Sequence, residues 1–250
     1  MHIYKCGGTS FNWTLQHAFP DKVLYCENSK SKSGKSRINK EQLDQHINLA
    51  KKKYMALSSH NIRFDALSDF QYVVTILREP CARILSAFNH DVRRGDCQVG
   101  IDMYIQRRVN FMSKTLGDNF INHIDSPRIF CIILEHLDIS VVALEHFLAI
   151  NGHIVNLVVP HALNVGSRKK NQPESVVDNL SNAQIGLFSK LNKLDICLYE
   201  SQKKRLMDLV STIPDFDLKL KDYRERKKVF AESLPLIKSF GQGPNHFVYI

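Results

Sequence analysis

The most constraining feature of this sequence is a short apolar run, rich in β-branched residues, that ends abruptly in charged residues. Tyr72 to Leu77 reads Tyr-Val-Val-Thr-Ile-Leu, and Arg78-Glu79-Pro80 follows directly. Such a run without polar alternation is typical of a strand covered on both faces in a parallel sheet. Proline is favoured at the first position of a helix. We therefore expect a central parallel strand followed at once by a helix that begins at Pro80.

The first ten residues fit a strand, a glycine turn and a helix start into very little length. Ile3 and Tyr4 favour a strand, Gly7-Gly8 permits a sharp turn, and Thr9-Ser10 can cap a helix that continues to Ala18. The first amide groups of a helix lack partners and, with the helix dipole, attract an anion. Lys5 adds an ammonium beside them. The stretch from Lys5 to Ser10, called the cradle below, is predicted to bind a phosphate.

The remaining pattern alternates strands and helices. Strands are predicted at 22–26, 128–134 and, at a sheet edge, 153–159; helices are predicted at 39–54, 101–109, 116–123, 139–150, 181–191 and 195–210. Segments 56–70, 91–100 and 160–173 are predicted to be irregular, with Arg93-Arg94 as candidate ligand contacts. This order predicts an α/β, P-loop-like three-layer fold, with a central parallel sheet flanked by helices and the ligand beyond the strand carboxyl ends. We expect one domain over 1–250, with 214–250 as a helical and irregular extension.

Composition narrows the choice of partner and compartment. The net charge of +9 favours an anionic ligand. The six cysteines contain no Cys-x-x-Cys pair, which argues against a zinc ribbon or a redox motif and is typical of reduced thiols in the cytoplasm. No apolar run reaches the roughly 18 to 20 residues that span a bilayer, and no secretory leader opens the chain. The expectation is a soluble, cytoplasmic protein without a membrane span.

Taken together, the two motifs resemble those of the sulfotransferases, specifically the carbohydrate branch typified by heparan sulfate 2-O-sulfotransferase. That branch begins with a strand and His-Ile-Pro-Lys-Thr-Gly/Ala-Gly-Thr-Ser, and this chain reads His2-Ile3-Tyr4-Lys5-Cys6-Gly7-Gly8-Thr9-Ser10. The second family signature is Arg-Asp/Glu-Pro with an arginine and then a serine at intervals of three, matched here by Arg78-Glu79-Pro80, Arg83 and Ser86. The departures are Tyr4 for proline and Cys6 for threonine.

A third, weaker similarity lies further along the chain. It comprises Leu163-Asn164-Val165-Gly166, the pair Lys169-Lys170 and the segment Asp195 to Glu200, which matches a family tendency toward Asp-x-x-Leu-Tyr. The resemblance covers roughly residues 1 to 205, and its two main signatures lie about seventy residues apart.

The resemblance implies transfer of a sulfuryl group from 3′-phosphoadenosine 5′-phosphosulfate (PAPS) to a hydroxyl or amine, without a metal. Lys5 would neutralise charge on the bridging oxygen as the S–O bond breaks. Arg78 and Ser86 would bind the 3′-phosphate, with Lys169 and Lys170 as further phosphate contacts. The 5′-phosphate would be held by the cradle residues Cys6, Gly7, Gly8, Thr9 and Ser10.

The resemblance also implies a histidine general base between the two signatures. His60 in Ser58-Ser59-His60-Asn61 matches it, and His46, inside a predicted exposed helix, is its competitor. An imidazole pKa near 6.5 suits that work at neutral pH. The acceptor, a carbohydrate or another hydroxyl-bearing small molecule, is expected to contact loops within 27–39, 91–100 and 240–250.

Two other functions fit part of the sequence. A P-loop-like kinase or nucleotide hydrolase would use ATP and a magnesium-binding acidic residue after a strand, for which Glu135 is the candidate. Gly34-Lys35-Ser36 is not a Walker motif, because Ser29 stands where its first glycine is needed. A non-enzymatic polyanion-binding protein would explain the positive charge, but the single tryptophan and the lack of an aromatic and basic signature argue against nucleic acid.

Overall fold

In the described part of the chain, the strands form two small parallel sheets. The computed structural model describes residues 3–20, 22–25, 55–59, 71–159 and 177–233, with the single positions 44, 45, 48 and 53. The strands are β1 (Val23–Tyr25), β2 (Ala56–Ser58), β3 (Val73–Leu77) and β4 (Ile129–Ile133). β1 pairs with β2 and β3 with β4, both in parallel, and Thr75 lies opposite Cys131 in the second pair.

Helices make up most of the described chain. They are α1 (Gly8–Ala18), α2 (Pro80–Arg94), α3 (Ile101–Arg107), α4 (Phe111–Leu116), α5 (Asp118–Asn122), α6 (Leu137–Ile150), α7 (Asn182–Leu191), α8 (Lys193–Thr212) and α9 (Phe216–Ser233), with a 3₁₀ turn at Leu134–His136. The fold is therefore mixed α/β with parallel strands. In the described part of the chain, no helix has both the length and the apolar character needed to cross a membrane.

The strongest local signals of the sequence are confirmed. β3 ends at Leu77, α2 begins at Pro80, and all five residues of β4 are buried. The helix predicted from Ser181 is also present: the Ser181 hydroxyl accepts from the Gln184 amide, and the Gln184 side chain accepts from the Ser181 amide, forming a capping box. Two sheets of two strands each do not establish a central sheet between two helical layers. The three-layer, P-loop-like arrangement therefore stays a prediction.

Some predicted boundaries and elements are wrong. Ile3 and Tyr4 are not in a strand, because the Cys6 amide bonds back to the Ile3 carbonyl at 3.1 Å and closes a turn. α2 extends to Arg94 rather than ending before Asp91, and Gly95 ends it at a φ of 76°. Segment 56–58, predicted to be irregular, is β2, whereas 153–159, predicted to be an edge strand, has no regular structure. Most of the predicted helix 39–54 lies outside the described residues.

Two hydrophobic clusters support this arrangement. The larger one surrounds β3 and β4 and includes Ile3, Cys6 and Phe11 from the amino-terminal stretch. The smaller one packs α2 and α3 against α7 through Ile84, Phe88, Ile105 and Phe188. The amino-terminal stretch is thereby held against the sheet that carries Arg78.

Candidate anion-binding site

The cradle is an irregular turn that ends in the first turn of α1. Lys5 has a φ of 66° and Gly7 a φ of 85°. Left-handed backbone is costly for a residue with a side chain and costs glycine little. A Cβ on Gly7 would also approach Leu134 Cδ1 to 2.8 Å. Both the backbone conformation and the neighbouring leucine therefore favour glycine at this position.

The amino terminus of α1 is open, whereas that of α2 is closed. Gly7, the residue that precedes α1, provides no side-chain cap. At α2 the Glu79 carboxylate accepts from the amides of Cys81 at 3.0 Å and Ala82 at 2.6 Å. The first-turn amides of α1 lack intrahelical partners, and the helix dipole makes that end positive. Of these two helix ends, α1 is the one suited to an anion.

The two sequence motifs meet through a hydrogen bond. Arg78, which follows β3, donates from Nη1 to the Lys5 carbonyl at 3.2 Å. The partners lie 73 residues apart in the chain and are both half-buried. This contact brings the cation of the second motif to the turn that precedes α1.

Positive charge gathers around Lys5. Burial lowers the pKa of the Lys5 ammonium, and the nearby guanidinium groups of Arg78 and Arg93 lower it further, while Asp91 opposes them. Adjacent cations repel one another, so this grouping carries an electrostatic cost in the absence of an anion. An anion placed beside Lys5 would relieve that cost.

The Asp91 carboxylate forms hydrogen bonds within the protein. It is buried, and its two oxygens accept from the hydroxyls of Tyr4 and Tyr104, each at 2.6 Å. Arg108 Nη2 lies 3.4 Å from the same carboxylate. These contacts join the residue before Lys5 to α2 and α3. Both oxygens of the Asp91 carboxylate are thus bonded within the protein, and the bond to Tyr4 stabilises the turn.

Arg83, the middle arginine of the second motif, lies in the core. It is 1% exposed, and its guanidinium lies over the Phe111 ring at 4.7 Å. Within the described residues, none of its three side-chain nitrogens has a hydrogen-bond partner. Burial lowers the pKa of this guanidinium. Arg83 therefore packs behind the site, and solvent does not reach it.

The expected ligand contacts are only partly brought together. Five of the expected contact residues lie at the turn or in the first turn of α1: Lys5, Gly7, Gly8, Thr9 and Ser10. Arg78 contacts this turn from the end of β3, and Ser86 is half-buried on α2. Cys6 departs from the expectation. Its thiol lies in the core, where burial raises its pKa to about 12, and its amide is bonded to Ile3. His46, His60, Lys169 and Lys170 lie outside the described residues.

Glu135, the candidate magnesium ligand of the kinase alternative, supports the second motif instead. Its carboxylate accepts from the Glu79 amide at 2.9 Å and from the Tyr199 hydroxyl at 3.0 Å. This single side chain thus joins the end of β4, the start of α2 and α8. Tyr199 belongs to the segment Asp195 to Glu200, which this contact joins to the start of α2.

Asp195, from the same segment, closes the start of α4. It is fully buried and accepts from the amides of Met112 at 3.0 Å and Ser113 at 2.8 Å, and from the Ser113 hydroxyl at 2.8 Å. This is a helix cap supplied by a distant residue.

The sequence interpretation missed His90. It lies on α2 four residues after Ser86, and its ring meets the Tyr4 ring edge-on at 5.8 Å. Residues four apart on a helix share a face. That spacing is readable in the sequence, and the helix predicted before Asp91 contains both residues, but neither motif includes a histidine at this position.

No family model, curated protein or solved structure matches this chain. The motifs, their spacing and the geometry of the turn at α1 are therefore what indicates the function of this chain.

Proposed function

We propose that this chain is a PAPS-dependent sulfotransferase that transfers a sulfuryl group to a hydroxyl or amine of a carbohydrate or small-molecule acceptor. The observation that carries the proposal is the hydrogen bond from Arg78 Nη1 to the Lys5 carbonyl. It makes neighbours of the two signatures on which the sulfotransferase resemblance depends. A chance similarity in sequence would not require them to meet.

The second support is electrostatic. The open end of α1 and the cations of Lys5, Arg78 and Arg93 suit a doubly phosphorylated nucleotide. In this proposal the amides of Gly8, Thr9 and Ser10 bind the 5′-phosphate. Arg78 and Ser86 bind the 3′-phosphate, which distinguishes this donor from other adenine nucleotides.

The proposed reaction is an in-line displacement at sulfur. The acceptor oxygen or nitrogen forms a bond to sulfur and gives up its proton to a general base, for which the resemblance names His60, while the bond between sulfur and the 5′-phosphate oxygen breaks. That oxygen keeps the bonding electron pair, and Lys5 stabilises the growing negative charge. Because this charge is greater in the transition state than in the ground state, Lys5 contributes to rate as well as to binding.

The kinase alternative receives less support. It requires an acidic side chain free to hold magnesium after a strand. Glu135 occupies that position, but both of its oxygens already accept hydrogen bonds from Glu79 and Tyr199. Recruiting it to a metal would remove contacts that hold the start of α2.

Isothermal titration calorimetry tests the donor site. We expect 3′-phosphoadenosine 5′-phosphate (PAP), without metal, to bind more tightly than ATP or AMP. Lys5→Ala and Arg78→Ala each remove a charge-assisted contact, so each should weaken PAP binding by about 10-fold or more.

The matched controls remove the same charges elsewhere. Lys190 and Arg107 are exposed residues at the ends of α7 and α3. Lys190→Ala and Arg107→Ala should leave the affinity within about threefold, because both side chains are exposed and salt screens exposed charges. Equal or tighter binding of ATP, or equal losses in the control variants, would refute the proposed donor site.

A further inference from the structure

Strand β4 has one edge that no described strand covers. It pairs with β3 alone, and the Val73 amide donates to the Arg128 carbonyl at 2.8 Å, which sets the register of the ladder. In a strand the backbone groups of alternate residues point to opposite edges. The amides and carbonyls of Ile129, Cys131 and Ile133 therefore point away from β3, toward the outer edge of β4.

This outer edge is closed at its two ends and open in the middle. At one end the Ile129 amide donates to the Ser126 carbonyl at 3.0 Å. At the other end the Ser140 hydroxyl accepts from the Ile133 amide at 3.0 Å and donates to the Ile133 carbonyl at 3.3 Å. Among the described residues, the amide and carbonyl of Cys131 have no hydrogen-bond partner at this edge. Because unpaired buried backbone groups are costly, a ligand or water is needed there.

A cavity of about 110 Å³ borders the open stretch of β4. Three consecutive strand residues, 129–131, line it, although their side chains alternate between the two faces, so the cavity lies along the edge of the strand. The opposite wall belongs to α8 and consists of Gln202, Arg205, Leu206 and Leu209. An apolar cavity of about 150 Å³ holds a benzene molecule, so this one has room for about five or six non-hydrogen atoms.

Gln202 gives the cavity a second polar group. It is 2% exposed, and in the described part of the chain its side-chain amide forms no hydrogen bond. Arg205 does not bond to it, since Nη1 and Nη2 of that guanidinium donate to the carbonyls of Ile124 and Ser126. Burial raises the pKa of the Cys131 thiol to about 12, so this thiol is uncharged at neutral pH. The open donors and acceptors of the cavity are therefore neutral amide groups.

We propose that this cavity binds a small, uncharged primary carboxamide that carries a compact apolar group. The site shares no residue with the proposed donor site and does not depend on the proposed function. A primary carboxamide has two N–H donors and an oxygen with two lone pairs. It can therefore bond to the Cys131 backbone and to the Gln202 amide at once, while its apolar group contacts Leu206 and Leu209.

Charged ligands fit the same groups less well. A carboxylate has no donor for the carbonyl oxygens of Cys131 and Gln202, and an ammonium has no acceptor for their N–H groups. Either ion would also lose its hydration inside the cavity without an opposite charge to replace it. The carboxamide is the one of these three groups that supplies both donors and acceptors.

Isobutyramide, whose size fits the cavity, is the probe for an NMR titration of the amide signals. The Cys131 amide and the Gln202 side-chain NH₂ should shift saturably, with a Kd of about 1 to 10 mM for so small a ligand. Methyl isopropyl ketone has the same shape but a methyl group in place of the NH₂. It leaves the Gln202 carbonyl unpaired and should bind at least about 10-fold more weakly.

Three variants test the assignment of the groups. Gln202→Met keeps the length of the side chain and removes its amide, so it should lose the preference for isobutyramide over the ketone. Its melting temperature should stay level or rise, because a buried amide without partners is removed. Leu209→Phe fills part of the cavity and should abolish binding of both ligands at the same concentrations. Gln106→Met, at an exposed position on α3, is the matched control and should bind like the unmodified protein.

Each contrary result is specific. If isobutyramide causes no saturable shift at these amides, the cavity holds water only and the proposal is refuted. Equal affinity for the ketone would show that the amide groups do not select the ligand. A preference for isobutyramide that survives in Gln202→Met would remove Gln202 as the recognising group. If a variant does not fold, the comparison of the two ligands in the unmodified protein still decides the matter.

Discussion

Tyr4 donates its hydroxyl hydrogen bond to Asp91 Oδ1 at 2.6 Å, joining the turn before Lys5 to a helix 87 residues away in the chain. The sulfotransferase pattern has proline at the Tyr4 position. Proline restrains the backbone through its ring. Here a side-chain hydrogen bond to a buried carboxylate acts at the same position. Tyr4 therefore restrains the turn through its side chain, at the position where the sulfotransferase pattern has proline.

Tyr4→Phe tests this restraint. Removing the hydroxyl leaves one oxygen of a buried carboxylate with one partner fewer, so the free energy of unfolding should fall by about 1 to 3 kcal/mol. PAP should also bind less tightly, since the turn that carries Lys5 loses its anchor. Tyr72→Phe is the control: the Tyr72 hydroxyl has an exposed bond to Gln71 at 3.3 Å, and its loss should cost under about 0.5 kcal/mol. Denaturant unfolding measures both, and equal effects would contradict a special role for Tyr4.

Gly7→Ala addresses the left-handed backbone at the start of α1. The φ of 85° costs an alanine about 1 to 2 kcal/mol, and its Cβ would displace Leu134. Gly186→Ala provides the opposite case: Gly186 is inside α7 with open space around its Cα, so alanine should stabilise the protein by up to about 1 kcal/mol. Thermal unfolding should shift in opposite directions for the two variants. A shift in the same direction would show that backbone strain does not govern position 7.

Arg83→Met concerns a charge buried without hydrogen bonds in the described part of the chain. Replacing such a charge with an apolar side chain of similar length is often neutral or stabilising, so the free energy of unfolding should stay level or rise by about 1 kcal/mol. Arg108→Met, which removes the ion pair with Asp91, should lower it. A large loss of stability in Arg83→Met, measured in urea, would reveal a hydrogen-bond partner for its guanidinium.

Asp195→Asn disrupts a cap formed between distant helices. The carboxylate accepts from two amides and one hydroxyl. An asparagine would place its NH₂ group, which is a donor, opposite one of those donors, so that bond would be lost. The expected loss is about 1 to 3 kcal/mol. Asp102→Asn should cost under about 0.5 kcal/mol, since Asp102 has an exposed bond to Gln184. Equal losses in urea denaturation would show that the buried cap is not important for stability.

The sequence predicted those elements whose signals are local. β3, β4 and the start of α2 follow from continuous apolar runs and from Pro80, and α7 follows from the Ser181 cap. The turn at Lys5 is different, since its left-handed backbone is held by a hydrogen bond that Arg78, 73 residues away, donates to the Lys5 carbonyl. Ile3 and Tyr4 are equally compatible with a strand before the glycines, so no local signal separated a strand from a turn.

In the candidate site, too, local motifs were predictable from the sequence and contacts between distant segments were not. Lys5, the glycines and Arg78 were predicted because their spacing forms two recognisable motifs. The burial of Arg83 over Phe111 and the network around Asp91 depend on how α2, α3 and α4 pack, which no single segment encodes. His90 was missed because neither motif includes it, and its contact with the Tyr4 ring joins residues 86 positions apart in the chain.

The pH dependence of PAP binding should report on Lys5 directly. Only the protonated ammonium attracts the anion, so affinity is full below the pKa of Lys5 and falls as pH rises through it. Burial, Arg78 and Arg93 lower this pKa from its ordinary value of 10.5, so the decline should begin at lower pH than for an exposed lysine. The second pKa of a phosphate group is near 6, so the phosphates of PAP are almost fully ionised above pH 7 and change little in this range.

Lys5→Arg provides the matched variant, because a guanidinium stays charged throughout the range. Its affinity should be nearly constant from pH 7 to about 10.5, while that of the unmodified protein declines over the upper part of that range. Calorimetry at constant ionic strength measures both, with Lys190→Arg as the control that keeps the normal decline. A parallel decline in Lys5→Arg would assign it to another group, such as a tyrosine hydroxyl, and would remove Lys5 as the cation that binds the nucleotide.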